Sequence, residues 1–155
     1  MDNKKVLAIS ACLMLTGTVS AVPATSTVED PSELTASSGI VNIVDRFGIA
    51  ATDRNDFIYT GDVNVTQNFS TSGTGNRPAI SVFNSIMTLG KTDVLVNFDS
   101  GTTGYDYISA VRLKNGTSSS VDLSQTVSAE FGAGSAITMN GNNNLEIYGV
   151  LIGAG

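Results

Sequence analysis

The residue types that usually carry enzyme chemistry are almost absent from this chain. It contains no histidine and no tryptophan, and its single cysteine, Cys12, lies in an N-terminal segment that we expect to be removed. Without histidine a chain has no ordinary general base near pH 7, and without cysteine or histidine it has no nitrogen or sulfur ligands for zinc or copper. The composition therefore predicts a protein that is not an enzyme and that needs no cofactor.

Carboxylates are the remaining groups that could do chemistry. A glycoside hydrolase would need a pair of them, drawn here from Glu130, Glu146 and scattered aspartates, together with aromatic platforms for the sugar. The chain has four tyrosines, and core-edge packing is the more ordinary role for them. Loops at 53–56 and 99–106 carry oxygen ligands of the kind Ca²⁺ prefers, but neither has the EF-hand spacing, and Asx-turns explain them more simply.

Three asparagines lie in N-glycosylation sequons, and they are Asn64, Asn68 and Asn115. A bulky, solubilising glycan at any of them would mark a surface position in a secreted protein. The specificity of the signal is low, because a chain this rich in Asn and Thr produces such triplets without a biological reason. They are kept as glycosylation candidates.

The N-terminal segment has the organisation of a signal peptide. Lys4 and Lys5 precede an apolar run over 6–15, and small residues lead to a small-x-small site that ends at Ala21. We expect residues 1–21 to be cleaved, which predicts secretion to the extracellular space or the cell surface. Two alternatives stay open: lipidation at Cys12, and a retained anchor, although the apolar run is shorter than the roughly 20 residues of a membrane span.

Charge and composition limit the partners of the mature chain. The whole chain has 14 acidic and 8 basic residues; removing Asp2, Lys4 and Lys5 with the leader leaves 13 and 6, a net charge of −7. An acidic chain without a Lys/Arg cluster is a poor candidate for binding nucleic acid or anionic lipid. It also has no cysteine left for a disulfide, so its stability must come from its core, from ions or from neighbouring subunits.

The elements that would position any site are predicted to be strands. Residues 22–38 contain two prolines and many Ser/Thr, which predicts a flexible lead-in. From 39 onwards short β-type runs alternate with Gly/Asn/Ser/Thr clusters, and we therefore expect 39–155 to form one all-β domain, a β-sandwich or jelly roll. The predicted strands are 40–49, 57–60, 63–69, 79–89, 93–98, 105–113, 120–128, 136–139 and 145–152.

Two features of these runs bear on function. The last run, 145–152, has almost no polar face, which predicts a strand that is central or covered on both sides. A weak internal repeat relates Phe69 and its Gly/Thr loop to Phe98 and the loop after it, although the match slips further on and turn chemistry alone could produce it.

These observations favour a structural role over a catalytic one. The first hypothesis is a subunit of an extracellular homopolymer, such as a pilus, filament, sheath or surface layer, that assembles by strand pairing. Its candidate pairing residues are the apolar face of the first run: Val41, Ile43, Phe47 and Ile49. The alternatives are an ordinary first strand within its own domain and, for function, a monomeric adhesin or carbohydrate-binding module with cell-surface glycans as partners.

Overall fold

The computed structural model describes residues 21–70, 73, 75–116, 126–142 and 145–153. These residues form one short helix and eleven strands. In chain order they are α1 (Pro31–Ala36), β1 (Ile40–Val44), β2 (Ile49–Thr52), β3 (Phe57–Tyr59), β4 (Val63–Asn68), β5 (Ile80–Phe83), β6 (Ile86–Leu89), β7 (Thr92–Asn97), β8 (Tyr107–Lys114), β9 (Ser128–Phe131), β10 (Ala136–Asn140) and β11 (Glu146–Ile152).

The strands form three sheets in which every pairing is parallel. Sheet A has the order β1-β4-β7-β10, sheet B the order β2-β5-β8-β11, and sheet C the order β3-β6-β9. The chain passes from sheet A to sheet B to sheet C and then returns to sheet A beside the strand it left. Each such passage is one coil, so the fold is a parallel β-helix with three coils and a fourth made of β10 and β11.

The predicted β-sandwich or jelly roll is therefore wrong, although the predominance of strands is as expected. Both of those folds are built from antiparallel strands, whereas these sheets contain parallel pairs. Two of the predicted strands are also divided by corners. The run 40–49 is β1 and β2 with Asp45 between them at φ +53°, and the run 79–89 is β5 and β6 with Asn84 between them at φ +47°. Aspartate and asparagine tolerate this left-handed conformation better than most residues.

Apolar residues stack in columns through the interior, one from each coil. In sheet A, Val41, Val65 and Val94 are paired in register and are at most 2% exposed. In sheet B, Ile49, Ile80 and Val111 form the equivalent column and are at most 1% exposed. Burying a side chain of this size contributes roughly 1.5 to 3 kcal/mol. The core is thus a series of stacked layers, each made by neighbouring coils.

One polar side chain, Gln67 on β4, lies fully buried among these layers. Its amide nitrogen donates to the carbonyl of Arg46 at 2.8 Å and also to the carbonyl of Arg77. Both carbonyls belong to the turns between sheets A and B. Gln67 therefore fixes these turns from the inside, where an unpaired carbonyl would be costly.

The N-terminal end of the β-helix is covered by residues 22–38. Ala24 bridges to Val41 and Val28 bridges to Ile49. Helix α1 follows, with a capping box made by Asp30 and Glu33 and with Leu34 completely buried. The segment whose composition predicted a flexible lead-in thus lies against the first coil as its cover. The predicted signal peptide lies outside the described residues except for Ala21, and so do Cys12 and most of the predicted strand 120–128.

Candidate functional site

The C-terminal coil differs from the other three in the exposure of its apolar residues. Ile137 continues the sheet A column of Val41, Val65 and Val94 and is 37% exposed. Val150 continues the sheet B column and is 50% exposed, while Ile152, next along β11, is 76% exposed. The positions equivalent to Ile137 and Val150 are buried in the coils before it. Those equivalent to Ile152 are buried at Ala51 and Val82 and half-buried at Leu113. Within the described residues no further coil covers this end, which we call the open end.

The open end also presents two strand edges. Among the described residues β10 pairs only with β7, and β11 only with β8, so the other edge of each strand keeps its own N–H and C=O groups. Natural proteins usually protect such edges with lysine, proline or inward-pointing charges. Between Ala136 and Gly155 the sequence has a single charged residue, Glu146, and no proline. The expectation that the last run is central or covered on both sides is therefore wrong for the described residues, because β11 is an edge strand and most of its residues are exposed.

A ladder of asparagine side chains runs along sheet A towards the open end. The amide of Asn97 donates to Oδ1 of Asn68 at 2.9 Å, and the amide of Asn140 donates to Oδ1 of Asn97 at 3.2 Å. The three residues are in register on β4, β7 and β10. Ladders of this kind stabilise stacked parallel strands, and Asn140 is the last described member.

The sequon asparagines lie at three different kinds of position. Asn64 is exposed on the outer face of β4, Asn68 is part of the ladder and half-buried, and Asn115 is half-buried after β8. Asn64 is the most accessible of the three for a glycan. The third residue of the Asn115 sequon, Thr117, lies outside the described residues. Attachment at any of these sites stays a prediction.

The predicted strand-pairing residues lie in the first coil. Val41, Ile43 and Ile49 are completely buried in the core of their own chain, and Phe47 is half-buried near the Arg77 side chain. The alternative of an ordinary first strand matches this placement. An exchange of this segment between subunits would first have to open the first coil, so the open end offers a simpler place for pairing.

A groove of about 320 Å³ lies on the outer face of sheet B. Its floor has two rows of side chains, and each row takes one in-register residue from each of three coils. The first row is Ala50, Ser81 and Arg112, and the second is Thr52, Phe83 and Lys114. Phe47 and Glu29 complete the lining. Sequence reasoning missed this site because its members come from different coils; Ser81 and Arg112, for example, are adjacent in space but far apart along the chain.

The groove gathers basic and aromatic residues in an otherwise acidic chain. Lys114 lies 5.9 Å from the ring centre of Phe83, and Arg77 lies 5.9 Å from that of Phe47. Two other basic residues are held in ion pairs, Arg54 with Asp56 at 2.7 Å and Lys91 with Asp93 at 2.9 Å. Arg54 also donates to the carbonyl of Glu29 at 2.7 Å. Among the described residues that line the groove, Glu29 is the one carboxylate.

A corner between sheets A and B joins three coils through one carboxylate. Asp45 of the first coil accepts a hydrogen bond from the backbone N–H of Ser70 at 2.8 Å and one from the hydroxyl of Tyr105 at 2.5 Å. Phe69 packs edge-on against Tyr105 with ring centres 4.8 Å apart. The Gly/Thr loops that the sequence presents as a weak repeat meet here, where the N–H of Gly73 donates to the carbonyl of Thr103 at 3.0 Å.

This corner shifts the pKa values of both acidic groups. Burial raises the pKa of Asp45, but the hydrogen bonds from Ser70 and Tyr105 outweigh it and leave that pKa below its ordinary value. Burial, followed by the hydrogen bond to Asp45 and its negative charge, raises the pKa of Tyr105 to about 12. The pair is therefore a carboxylate held by a neutral phenol, which is a structural arrangement rather than an acid–base couple poised near pH 7.

The alternative chemistries gain little from the geometry. Glu130 lies on β9 of sheet C and Glu146 on β11 of sheet B, where it accepts a hydrogen bond from Tyr148 at 2.7 Å. Asp99 accepts hydrogen bonds from Gly101 and Thr102 as in an Asx-turn. Within the described part of the chain no three His, Cys, Asp or Glu residues cluster in a way that could hold a metal ion.

Comparisons with protein-family models, with curated proteins and with solved structures found no match to this chain. Over the described ranges, no helix has both the length and the apolar character needed to cross a membrane.

Proposed function

We propose that this chain is a non-enzymatic structural subunit of an extracellular polymer, such as a pilus, filament, sheath or surface layer, in which subunits associate by β-strand pairing. The observation that supports the proposal is the open end. It combines two strand edges that no described residue pairs with and exposed apolar residues whose equivalents are buried or half-buried in the other coils. The signal-peptide pattern in the sequence supports an extracellular location. Because no cysteine follows Ala21, no disulfide can form there, and association between subunits would have a stabilising role.

The two ends of the β-helix are not equivalent, and this decides which contact forms first. At the N-terminal end, Ala24 and Val28 make four backbone hydrogen bonds of 2.8 to 2.9 Å with the first coil, and Leu34 is buried there. The open end has no such cover among the described residues. Two copies that meet through their open ends need to displace none of the residues that the structure describes, whereas a copy that adds to the N-terminal end must first displace residues 22–30.

The first contact is therefore an isologous one, in which the fourth coils of two copies face each other across a two-fold axis. That symmetry pairs their edge strands in antiparallel directions and buries Ile137, Val150 and Ile152. Each of these side chains contributes part of the roughly 1.5 to 3 kcal/mol that full burial of a large apolar side chain provides. A polymer needs a second contact, which in this proposal is the N-terminal end after residues 22–30 are displaced.

The test uses the mature chain from Val22 and one pair of matched variants. Ile152→Asp places a charge at the open end, and Ile58→Asp places the same charge at an isoleucine on β3 that is 58% exposed on its own coil. Sedimentation analysis and electron microscopy measure the association. We expect the mature chain and Ile58→Asp to form dimers or larger assemblies, and Ile152→Asp to stay monomeric with an unchanged circular dichroism spectrum.

Two outcomes would contradict the proposal. A mature chain that remains monomeric at high concentration would show that the open end is not an interface between copies. Equal association of Ile152→Asp and the mature chain would show that copies meet elsewhere. A mature chain that remains monomeric would favour the alternative predicted function, a monomeric adhesin or carbohydrate-binding module.

A further inference from the structure

The groove on sheet B has the size and lining of a binding site. Its volume of about 320 Å³ lies within the range of roughly 300 to 1,000 Å³ that small-ligand sites occupy. Its floor is rigid, because it consists of outward-facing residues of three neighbouring strands whose intervening residues, such as Ile80 and Val82, are completely buried. A ligand here would meet side chains that are already held in place.

The charge of the lining selects an anionic ligand. Arg112 and Lys114 lie two residues apart on β8, which separates their backbones by roughly 7 Å. Arg77 adds a third positive charge beside Phe47. A guanidinium presents a fork of N–H donors that matches a carboxylate or sulfate, whereas an ammonium acts as a point charge. The two side chains can therefore contact one acidic group or two neighbouring ones.

The position of the groove favours a carbohydrate over a peptide. Peptides commonly bind parallel sheets by adding a strand to an edge, where backbone N–H and C=O groups are available. This groove lies on the face of sheet B, where the backbone groups of β5 already pair with β2 and β8. It offers instead hydroxyl groups from Thr52 and Ser81 and the apolar surface of Phe83. Those groups suit the hydroxyls and the C–H face of a sugar ring.

The net charge of the chain limits the length of such a ligand. At −6 for the whole sequence, the protein repels a long polyanion outside the groove. We propose that the sheet B groove binds a short acidic oligosaccharide, with its carboxylate or sulfate groups against Arg112 and Lys114 and a sugar ring against Phe83. This proposal does not require assembly through the open end, and it fits a surface protein that holds acidic cell-surface or matrix glycans.

The experiment measures the binding of tetragalacturonate to the mature chain by calorimetry, with its fully methyl-esterified form as the uncharged control. The variant Arg112→Gln/Lys114→Gln removes both charges from the groove. Lys91→Gln is the matched control, because it removes a basic residue that pairs with Asp93 away from the groove. Circular dichroism and thermal unfolding establish that all variants keep the fold.

We expect tetragalacturonate to bind and the methyl ester to bind at least tenfold more weakly. The double variant should lose at least a factor of ten in affinity, whereas Lys91→Gln should stay within a factor of two. Binding should also weaken as salt is added, because the contact is between charges that lie partly in solvent. A sulfated tetrasaccharide that binds more tightly than tetragalacturonate at the same residues also supports the proposal and identifies sulfate as the preferred group.

Three results would overturn the inference. The first is the absence of binding by both the carboxylated and the sulfated tetrasaccharide at millimolar concentration. The second is equal affinity of the double variant and the unmodified chain, which would place the ligand elsewhere. The third is equal or tighter binding of tetraglutamate, which would show that the groove recognises an acidic peptide. A further variant, Phe83→Leu, separates ring stacking from charge, since it keeps both basic residues.

Discussion

Raising the pH above about 10 should destabilise this protein chiefly through the buried Tyr105. Its hydroxyl donates to Asp45 across the corner that joins three coils, and it is only 4% exposed. The pKa of Tyr105 is raised to about 12 by its burial and by the hydrogen bond and charge of Asp45. The unfolded chain ionises the same phenol near pH 10. Between these two values the unfolded state therefore loses its proton first.

The sign and size of the effect follow from this difference in pKa. The contribution of Tyr105 to the free energy of unfolding is fully present below about pH 10 and is lost as the pH rises towards about 12. A difference of about two pKa units corresponds to about 2 to 3 kcal/mol. In a domain whose total stability is about 5 to 15 kcal/mol, that loss is large enough to measure directly.

The variant Tyr105→Phe isolates this contribution, because it keeps the ring that packs on Phe69 and removes only the hydroxyl. At neutral pH it should be less stable than the unmodified chain by about 1.5 to 3 kcal/mol, the value of a hydrogen bond to a charged group. The two stability curves should then converge between about pH 10 and pH 12, because the two proteins differ only in the Tyr105 hydroxyl.

Urea denaturation followed by far-ultraviolet circular dichroism, repeated from about pH 8 to pH 12, measures both curves. Tyr148→Phe is the control. The hydrogen bond to Glu146 raises the pKa of Tyr148, but this tyrosine lies outside the corner. Removing its hydroxyl should therefore leave the loss of stability that comes from Tyr105 in place. Curves for the unmodified chain and Tyr105→Phe that remain parallel up to pH 12 would refute the reasoning, because Tyr105 would then ionise equally in both states.

Two further substitutions test the interior and the N-terminal cover. Gln67→Glu replaces the two N–H donors that hold the carbonyls of Arg46 and Arg77 by a buried carboxylate. We expect the free energy of unfolding, measured by urea denaturation, to fall by about 2 to 4 kcal/mol at neutral pH and by less in acid. An unchanged free energy of unfolding would show that the turns need no internal donor. Leu34→Ala should lower the free energy of unfolding by about 2 to 5 kcal/mol, because Leu34 is completely buried. The control Thr35→Ala, at an exposed neighbour, should change it by less than about 0.5 kcal/mol. Equal effects of the two variants in thermal unfolding would show that α1 does not cover the first coil.

Local alternation predicted most strand positions because it depends only on which side of a strand is buried. The runs 63–69 and 93–98 coincide closely with β4 and β7, and 136–139 with β10. The same alternation is required in an antiparallel sandwich and in a coil, however, so it does not reveal how strands are connected. The parallel arrangement appears only when strands are matched across coils.

The repeat that identifies a β-helix is obscured in this sequence by loops of unequal length. Val41, Val65, Val94 and Ile137 are equivalent positions, so successive coils take 24, 29 and 43 residues. The pairs Asn68-Phe69 and Asn97-Phe98 are a true trace of the repeat, since Asn68 and Asn97 are in register. The isoleucines that follow the two loops in the sequence repeat, Ile80 and Ile108, are not in register, because Ile80 pairs with Val111. Asp45 and Asn84 form the corners between β1 and β2 and between β5 and β6. Because each lies inside a mostly apolar run, the sequence pattern does not indicate a turn there.

The stability of a β-helix is approximately a sum over coils and over the interfaces between them, so the two ends of this chain differ in stability as well as in cover. The first coil has an interface on each side, with residues 22–38 and with the second coil. Among the described residues the fourth has only one, and Val150 and Ile152 remain exposed there. In an isolated subunit the fourth coil should therefore open most readily and exchange its amide hydrogens first. Association through the open end would give the fourth coil its second interface. The protection of its amide hydrogens from exchange would then depend on protein concentration. In the proposed polymer, whose subunits have no cysteine after Ala21 for a disulfide, association would then supply at the C-terminal end the stability that residues 22–38 supply at the other.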